Sequence, residues 1–145
     1  MNVNPPRPVL FLDDERPYIE MMTELLSEHL SCPIVSFTRP EDALAALPGL
    51  NPGIIVTDFS MPGMNGIDFL YRARANGSTV GAIMITGHQI ELAWQDLSHV
   101  PGLLATLYKP VGWRQLAELI IQHWPDENRP ALKAGPAGTG EVQPQ

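Results

Sequence analysis

Short apolar runs alternate along this chain with longer stretches of helical period. Val9-Leu10-Phe11-Leu12 and Ile54-Ile55-Val56 are continuous apolar runs, and Pro and Gly bound several such segments. Runs of this kind read as strands buried on both faces of a parallel sheet. Five strands are predicted, near residues 8–12, 33–37, 53–57, 81–85 and 103–108.

The intervening stretches carry the helices. Ile19, Met22, Leu25, Leu26 and Leu30 recur at helical spacing after the first strand, and Pro17 suits a first turn. Pro40 opens a second helix, with Ala43, Leu44 and Leu47 inward and Pro48-Gly49 as its end. Asn65 can cap a third, in which Ile67, Leu70 and Ala73 face in and Asn76-Gly77 stop the helix. A fourth is expected over roughly 89–98, with Ile90, Leu92 or Ala93, and Leu97 inward and Pro101-Gly102 as the break. In the last helix Trp113, Leu116, Ala117, Ile120, Ile121 and Trp124 form one apolar stripe, and Pro125 ends it.

A five-strand βα series with right-handed crossovers leaves few topologies. The expectation is a flavodoxin-like (βα)5 doubly wound parallel sheet with strand order 2-1-3-4-5. In such sheets ligands bind beyond the carboxyl ends of the strands, beside the switch in strand order. Asp13 and Asp14 follow the first strand there. Asp58 ends the third, just before the turn Phe59-Ser60-Met61-Pro62-Gly63-Met64-Asn65-Gly66. Thr86 and then Lys109-Pro110 follow the fourth and fifth. Three acids, a hydroxyl and an ammonium at neighbouring strand ends form a set suited to a magnesium ion and a phosphoryl group.

Composition narrows the partners. A formal charge of −7 over 145 residues, with no Lys/Arg run, argues against direct nucleic-acid binding. A single cysteine, Cys32, permits no internal disulfide and reads as a small buried hydrophobe. The start, Met1 to Pro6, lacks a cationic region followed by an apolar stretch, and no run approaches the roughly 18 apolar residues of a membrane span. The expectation is a soluble cytoplasmic protein: an extension over 1–7, one domain over 8–125, and a flexible Pro/Gly-rich tail over 126–145 that is dispensable for folding.

Leu12-Asp13-Asp14-Glu15, Asp58-x-x-Met61-Pro62-x-Met64-Asn65-Gly66, Thr86-Gly87 and Lys109-Pro110 together resemble the receiver domain of bacterial two-component response regulators, over residues 8 to 124. The resemblance implies that Asp58 is phosphorylated by a histidine kinase or phosphotransfer protein. Magnesium would be held by Asp14, Asp58 and the backbone carbonyl of Ser60, with Asp13 orienting a bound water. Lys109 would meet a phosphoryl oxygen, its bond to Pro110 being of a type that is typically cis in the family, and Thr86 would donate its hydroxyl to the same group. Output would pass to a downstream protein, with homodimerisation through the fourth helix, fifth strand and last helix as a further family trait. His88 and Ser60 stand where family members flank the path of the hydrolytic water, so dephosphorylation is expected to depend on pH through His88. Trp94 and Trp113 are expected to report activation.

One position departs from the pattern. The aromatic residue that many receivers carry three places before the lysine is here Thr106, while Tyr108 lies on the same strand face. Four other readings compete: a receiver excised from a hybrid kinase or larger regulator, a receiver-like docking module that is never phosphorylated, an aspartate-nucleophile phosphohydrolase, and a dinucleotide binder. The phosphohydrolase requires Asp-x-Asp-x-Thr after the first strand, where this chain has Asp13-Asp14-Glu15-Arg16-Pro17. Dinucleotide binding requires a Gly-rich turn that is absent.

Overall fold

Apolar residues that alternate between two faces of a strand need cover on both sides, and the chain supplies it from two sets of helices. The computed structural model describes residues 6–87 and 96–133. The strands are β1 (Val9–Leu12), β2 (Ile34–Phe37), β3 (Ile54–Asp58), β4 (Gly81–Thr86) and β5 (Leu103–Tyr108). They pair in parallel in the order β2-β1-β3-β4-β5. The helices are α1 (Arg16–His29), α2 (Pro40–Leu50), α3 (Gly66–Ala75) and α4 (Trp113–Gln122). The expected sheet and strand order are therefore observed.

Val9, Phe11, Ile54, Val56, Ile83 and Ile85 point to the side where Ile19, Met22 and Leu26 of α1 meet Leu116, Ala117 and Ile120 of α4. Leu10, Leu12, Ile55, Ala82 and Met84 point the other way, onto Ala43 and Leu47 of α2 and Phe69, Leu70 and Ala73 of α3. This two-residue alternation fixes register, since a slip of one residue would exchange the two cores. Full burial of each Leu or Ile side chain stabilises the fold by about 1.5–3 kcal/mol.

Local signals set most boundaries. Asn65 caps α3 through a reciprocal capping box: the Asp68 amide donates to Asn65 Oδ1 at 2.9 Å and the Asn65 amide to Asp68 Oδ2 at 3.4 Å. Gly77 follows that helix with φ 99°. The end of α2 differs from expectation. Pro48 does not stop it; the helix runs on to Leu50 and closes at Asn51, whose φ is 50°. A proline in the last turn interrupts only one backbone hydrogen bond, and the left-handed Asn51 supplies the actual stop by donating its amide to Leu47 O at 3.0 Å. Phe69, absent from the expected inward set, is fully buried, because the inward face of α3 is wider than three positions.

Most of the predicted fourth helix, together with His88 and Trp94, lies outside the described residues. Within that stretch, Leu97–His99 form a 3₁₀ turn capped by Asp96. Residues 126–133, expected to begin a flexible tail, pass along the end of α1. Leu132 forms an antiparallel bridge with Leu30, and the Lys133 and Ser31 amides donate to His29 O at 2.7 Å and Ala131 O at 3.0 Å. Leu132 packs on the α1/α4 core, and Arg7 pairs with Asp126 at 3.3 Å. An apolar residue seven positions beyond Pro125 thus finds a partner that local periodicity does not reveal.

Candidate functional site

The ladder hydrogen bonds continue one step past the strands and hold the polar residues in place. The Asp13 amide donates to Phe37 O at 3.1 Å, Phe59 to Ile85 O at 2.9 Å, and Lys109 to Thr86 O at 2.8 Å. The end of β1 is thereby tied to β2, and the ends of β3, β4 and β5 to one another, on the two sides of the switch in strand order. After β3 the chain turns back so tightly that the Gly66 amide donates to Phe59 O at 2.8 Å. A Cβ on Gly66 would stand 2.4 Å from the carbonyl oxygen of Asp58, so only glycine fits there. Gly66 thus allows α3 to begin directly beneath the Asp58 peptide.

Asp13, Asp14 and Asp58 each bring a carboxylate oxygen within 4.8 Å of the others. Asp13 is fully buried and Asp58 is 4% exposed, whereas Asp14 is half-buried. Burial, and after it the charge of Asp13, pushes the Asp58 carboxyl up to about 7, against the pull of the Lys109 ammonium. Burial likewise raises Asp13, opposed by the Glu15 amide, which donates to Asp13 Oδ1 at 2.8 Å, and by Lys109. Carboxylates this close, two of them buried, repel one another and bind either a proton or a cation.

Lys109, joined to Pro110 by a cis peptide bond, reaches into the cluster from the end of β5. Its ammonium lies 2.8 Å from Glu15 Oε1, 3.2 Å from Asp13 Oδ2 and 3.7 Å from Asp58 Oδ1, and 4.4 Å from the centre of the Tyr18 ring. Burial alone would pull this lysine down. The Glu15 hydrogen bond and the charges of Asp13 and Asp58 outweigh that and hold it above the usual lysine range. It is therefore a permanent cation beside the acids.

Asp14, Glu15, Asp58, Ser60, Gly87 and Lys109 line a cavity of about 250 Å³ open to solvent. A larger one, about 430 Å³, opens beside Leu47, Asn76 and Gly81 with Arg7 as the one charged residue among the described residues that line it, so these offer no comparable chemistry. Ser60, half-buried, is part of the lining of the smaller cavity. Thr86 is fully buried at the end of β4, and Gly87 rather than Thr86 lines the opening. Thr86 pairs in register with Tyr108, and Met84 with Thr106. Tyr108, 41% exposed, thus stands on the strand next to Thr86, while Thr106 is half-buried.

Hard carboxylate oxygens, one of them on a solvent-open rim, suit a small divalent cation such as magnesium, which takes one or two carboxylates and keeps several waters. Asp13, Asp14 and Asp58 fit that ion. Glu15 and Tyr18, to which the sequence motifs assigned no role, are the site residues that sequence reasoning missed. For Glu15 the signal was present, directly after the acid pair. For Tyr18 it was not, because its contact with Lys109 spans two distant segments.

Residues 9–121 match the family model of the response regulator receiver domain. The chain is similar to the transcriptional regulatory protein FixJ of Bradyrhizobium diazoefficiens, at 32% identity over 80 residues, which are 55% of this chain and 38% of FixJ. It is also similar to a response regulator receiver protein of Anaeromyxobacter sp., at 28% identity over 113 residues, 78% of this chain and 47% of that protein. It thus spans less than half the length of either. The signal receiver domain of an HD domain-containing protein from Pseudomonas fluorescens shares the fold, with a TM-score of 0.72 at 20% identity over 83% of this chain and 94% of that one.

Proposed function

The chain belongs to the response regulator receiver family, and from that premise we propose that it is a phosphoacceptor of a two-component relay, modified on Asp58 by a histidine kinase or histidine phosphotransfer protein. The observation that carries this reading is the meeting of three carboxylates with the Lys109 ammonium at the mouth of a solvent-open cavity.

In the transfer, an Asp58 carboxylate oxygen forms a bond to phosphorus while the bond to the donor's leaving group breaks, and the leaving group takes the electron pair. The dianionic phosphoryl group has to enter a site already holding three acids, so local positive charge governs the barrier. Lys109 supplies one such charge, 3.7 Å from Asp58 Oδ1. Magnesium, when bound, would supply the rest, held by Asp14, Asp58 and the Ser60 carbonyl, with Asp13 orienting one of its waters. Thr86, at the end of the neighbouring strand, is the hydroxyl donor to the phosphoryl oxygens and the residue through which occupancy is passed on. The modified domain then acts by protein contact, on a downstream output protein or a second copy meeting it through β5 and α4, in a cytoplasmic setting.

Acetyl phosphate is expected to label the protein, and beryllofluoride to bind it, only with magnesium present. Asp58→Ala is expected to abolish both. Mass-spectrometric mapping of the label to any other residue in wild type refutes the reading.

A further inference from the structure

The shortest contact of the Lys109 ammonium is not to the carboxylate cluster. It donates to Glu15 at 2.8 Å, closer than Asp13 at 3.2 Å or Asp58 at 3.7 Å, and the Tyr18 ring closes another side of it. An ammonium has three N–H donors. Glu15 and Asp13 engage two of them and the Tyr18 ring covers a further side, so a phosphoryl group on Asp58 draws on donors that these partners already hold. Asp13, Asp14 and Asp58 would share their charge with a divalent cation, but Glu15 stands outside that cluster, with its side chain 62% exposed. A bound cation would therefore loosen the hold of Asp13 and Asp58 on Lys109 and leave that of Glu15 in force.

We infer that Glu15 is a positioning residue that restrains Lys109 in the resting state and competes with the incoming phosphoryl group for its ammonium, setting how readily Asp58 is phosphorylated. The inference rests on the phosphoacceptor reading. When Asp58 bonds to phosphorus and acetate departs with the electron pair, Glu15 neither gains nor loses a proton; it gives up one ion pair. A pair with one partner largely in solvent is weak, so Glu15 tunes the rate several-fold and is not an on/off element.

The test is a double-mutant cycle read by acetyl phosphate labelling and by beryllofluoride affinity, both at saturating magnesium. Glu15→Gln keeps the side-chain length and removes the charge. It is expected to speed labelling and tighten beryllofluoride by about twofold to fivefold, with Glu15→Ala changing both in the same direction. With Lys109→Met in place, Glu15→Gln is expected to change neither, because its effect runs through the ammonium. Equal effects in both backgrounds would mean direct repulsion of the donor and overturn the inference, as would unchanged or slower labelling in the single variant. Both of those outcomes leave Asp58 labelled in wild type. A wild-type chain that takes no phosphoryl group on Asp58 overturns the phosphoacceptor reading and this inference together.

Discussion

Asp58 is the residue whose titration the fold changes most visibly, and the sign of the effect on stability is definite. Its folded carboxyl, near 7, holds a proton more tightly than the unfolded one near 3.8. The stability this contributes is complete below about pH 4 and is lost as pH rises toward 7. Each tenfold difference in proton affinity is worth about 1.4 kcal/mol. In chelator-treated protein, Asp58→Asn should therefore raise the melting temperature by several degrees at pH 8 and by little near pH 4, where the wild-type carboxyl is neutral in the fold and largely so in the unfolded chain. Thermal scans at the two pH values check this, and an equal gain at both would show that ionisation of the buried Asp58 carboxyl is not the cause. The importance of Asp58 was legible in the sequence from its place between an apolar run and a Pro/Gly turn. Its raised proton affinity was not, because that depends on burial and then on Asp13, both set by strands distant in the chain.

At the scale of elements, periodicity predicted what packs on its own neighbours and missed what packs at a distance. The stripe of α4 is recovered in Leu116, Ala117 and Ile120, all fully buried. Gly53 shows the opposite case. A Cβ there would stand 2.3 Å from the Trp124 ring, a contact between segments that no local pattern announces. The strap over residues 126–133 is another. It covers Leu30, which is 1% exposed, and carries the buried Pro130. Truncation after Pro125 is expected to cost about 1–3 kcal/mol, from the lost burial of Leu132 and Pro130, and to lower the melting temperature by several degrees. Leu132→Ala should give part of the same loss. An unchanged melting curve for the truncated chain would restore the view that everything after Pro125 is dispensable.

The whole molecule couples its site to its fold by mass action. A ligand that binds only the folded state stabilises it by RT ln(1 + [L]/Kd), about 2.7 kcal/mol at a hundredfold excess over Kd. Magnesium with beryllofluoride should therefore raise the melting temperature in a saturable way, and Asp58→Ala should remove the gain contributed by beryllofluoride. Trp113 stacks on His29 of α1, with ring centroids 3.8 Å apart. Its emission is thus sensitive to any movement of α4 against α1 during the same titration. Beryllofluoride that binds Asp58 without raising the melting temperature would contradict the coupling.

The order of the strands and of the described helices, the two apolar faces of each inner strand, the cap at Asn65 and the positions of the acids at strand ends were all determined by the sequence alone. Each depends on spacing within one segment, which local sterics and burial enforce. The tertiary structure decided the rest. It tied Lys109 to Glu15 rather than to Asp58 alone, set the Tyr18 ring against the ammonium, ended α2 at Asn51 beyond Pro48, and laid Leu132 on Leu30. Three of these join residues far apart in the chain, and at the end of α2 a left-handed residue rather than the proline proved decisive. Which distant groups meet follows from how the helices seat on the sheet, so a pattern read along one segment cannot contain it.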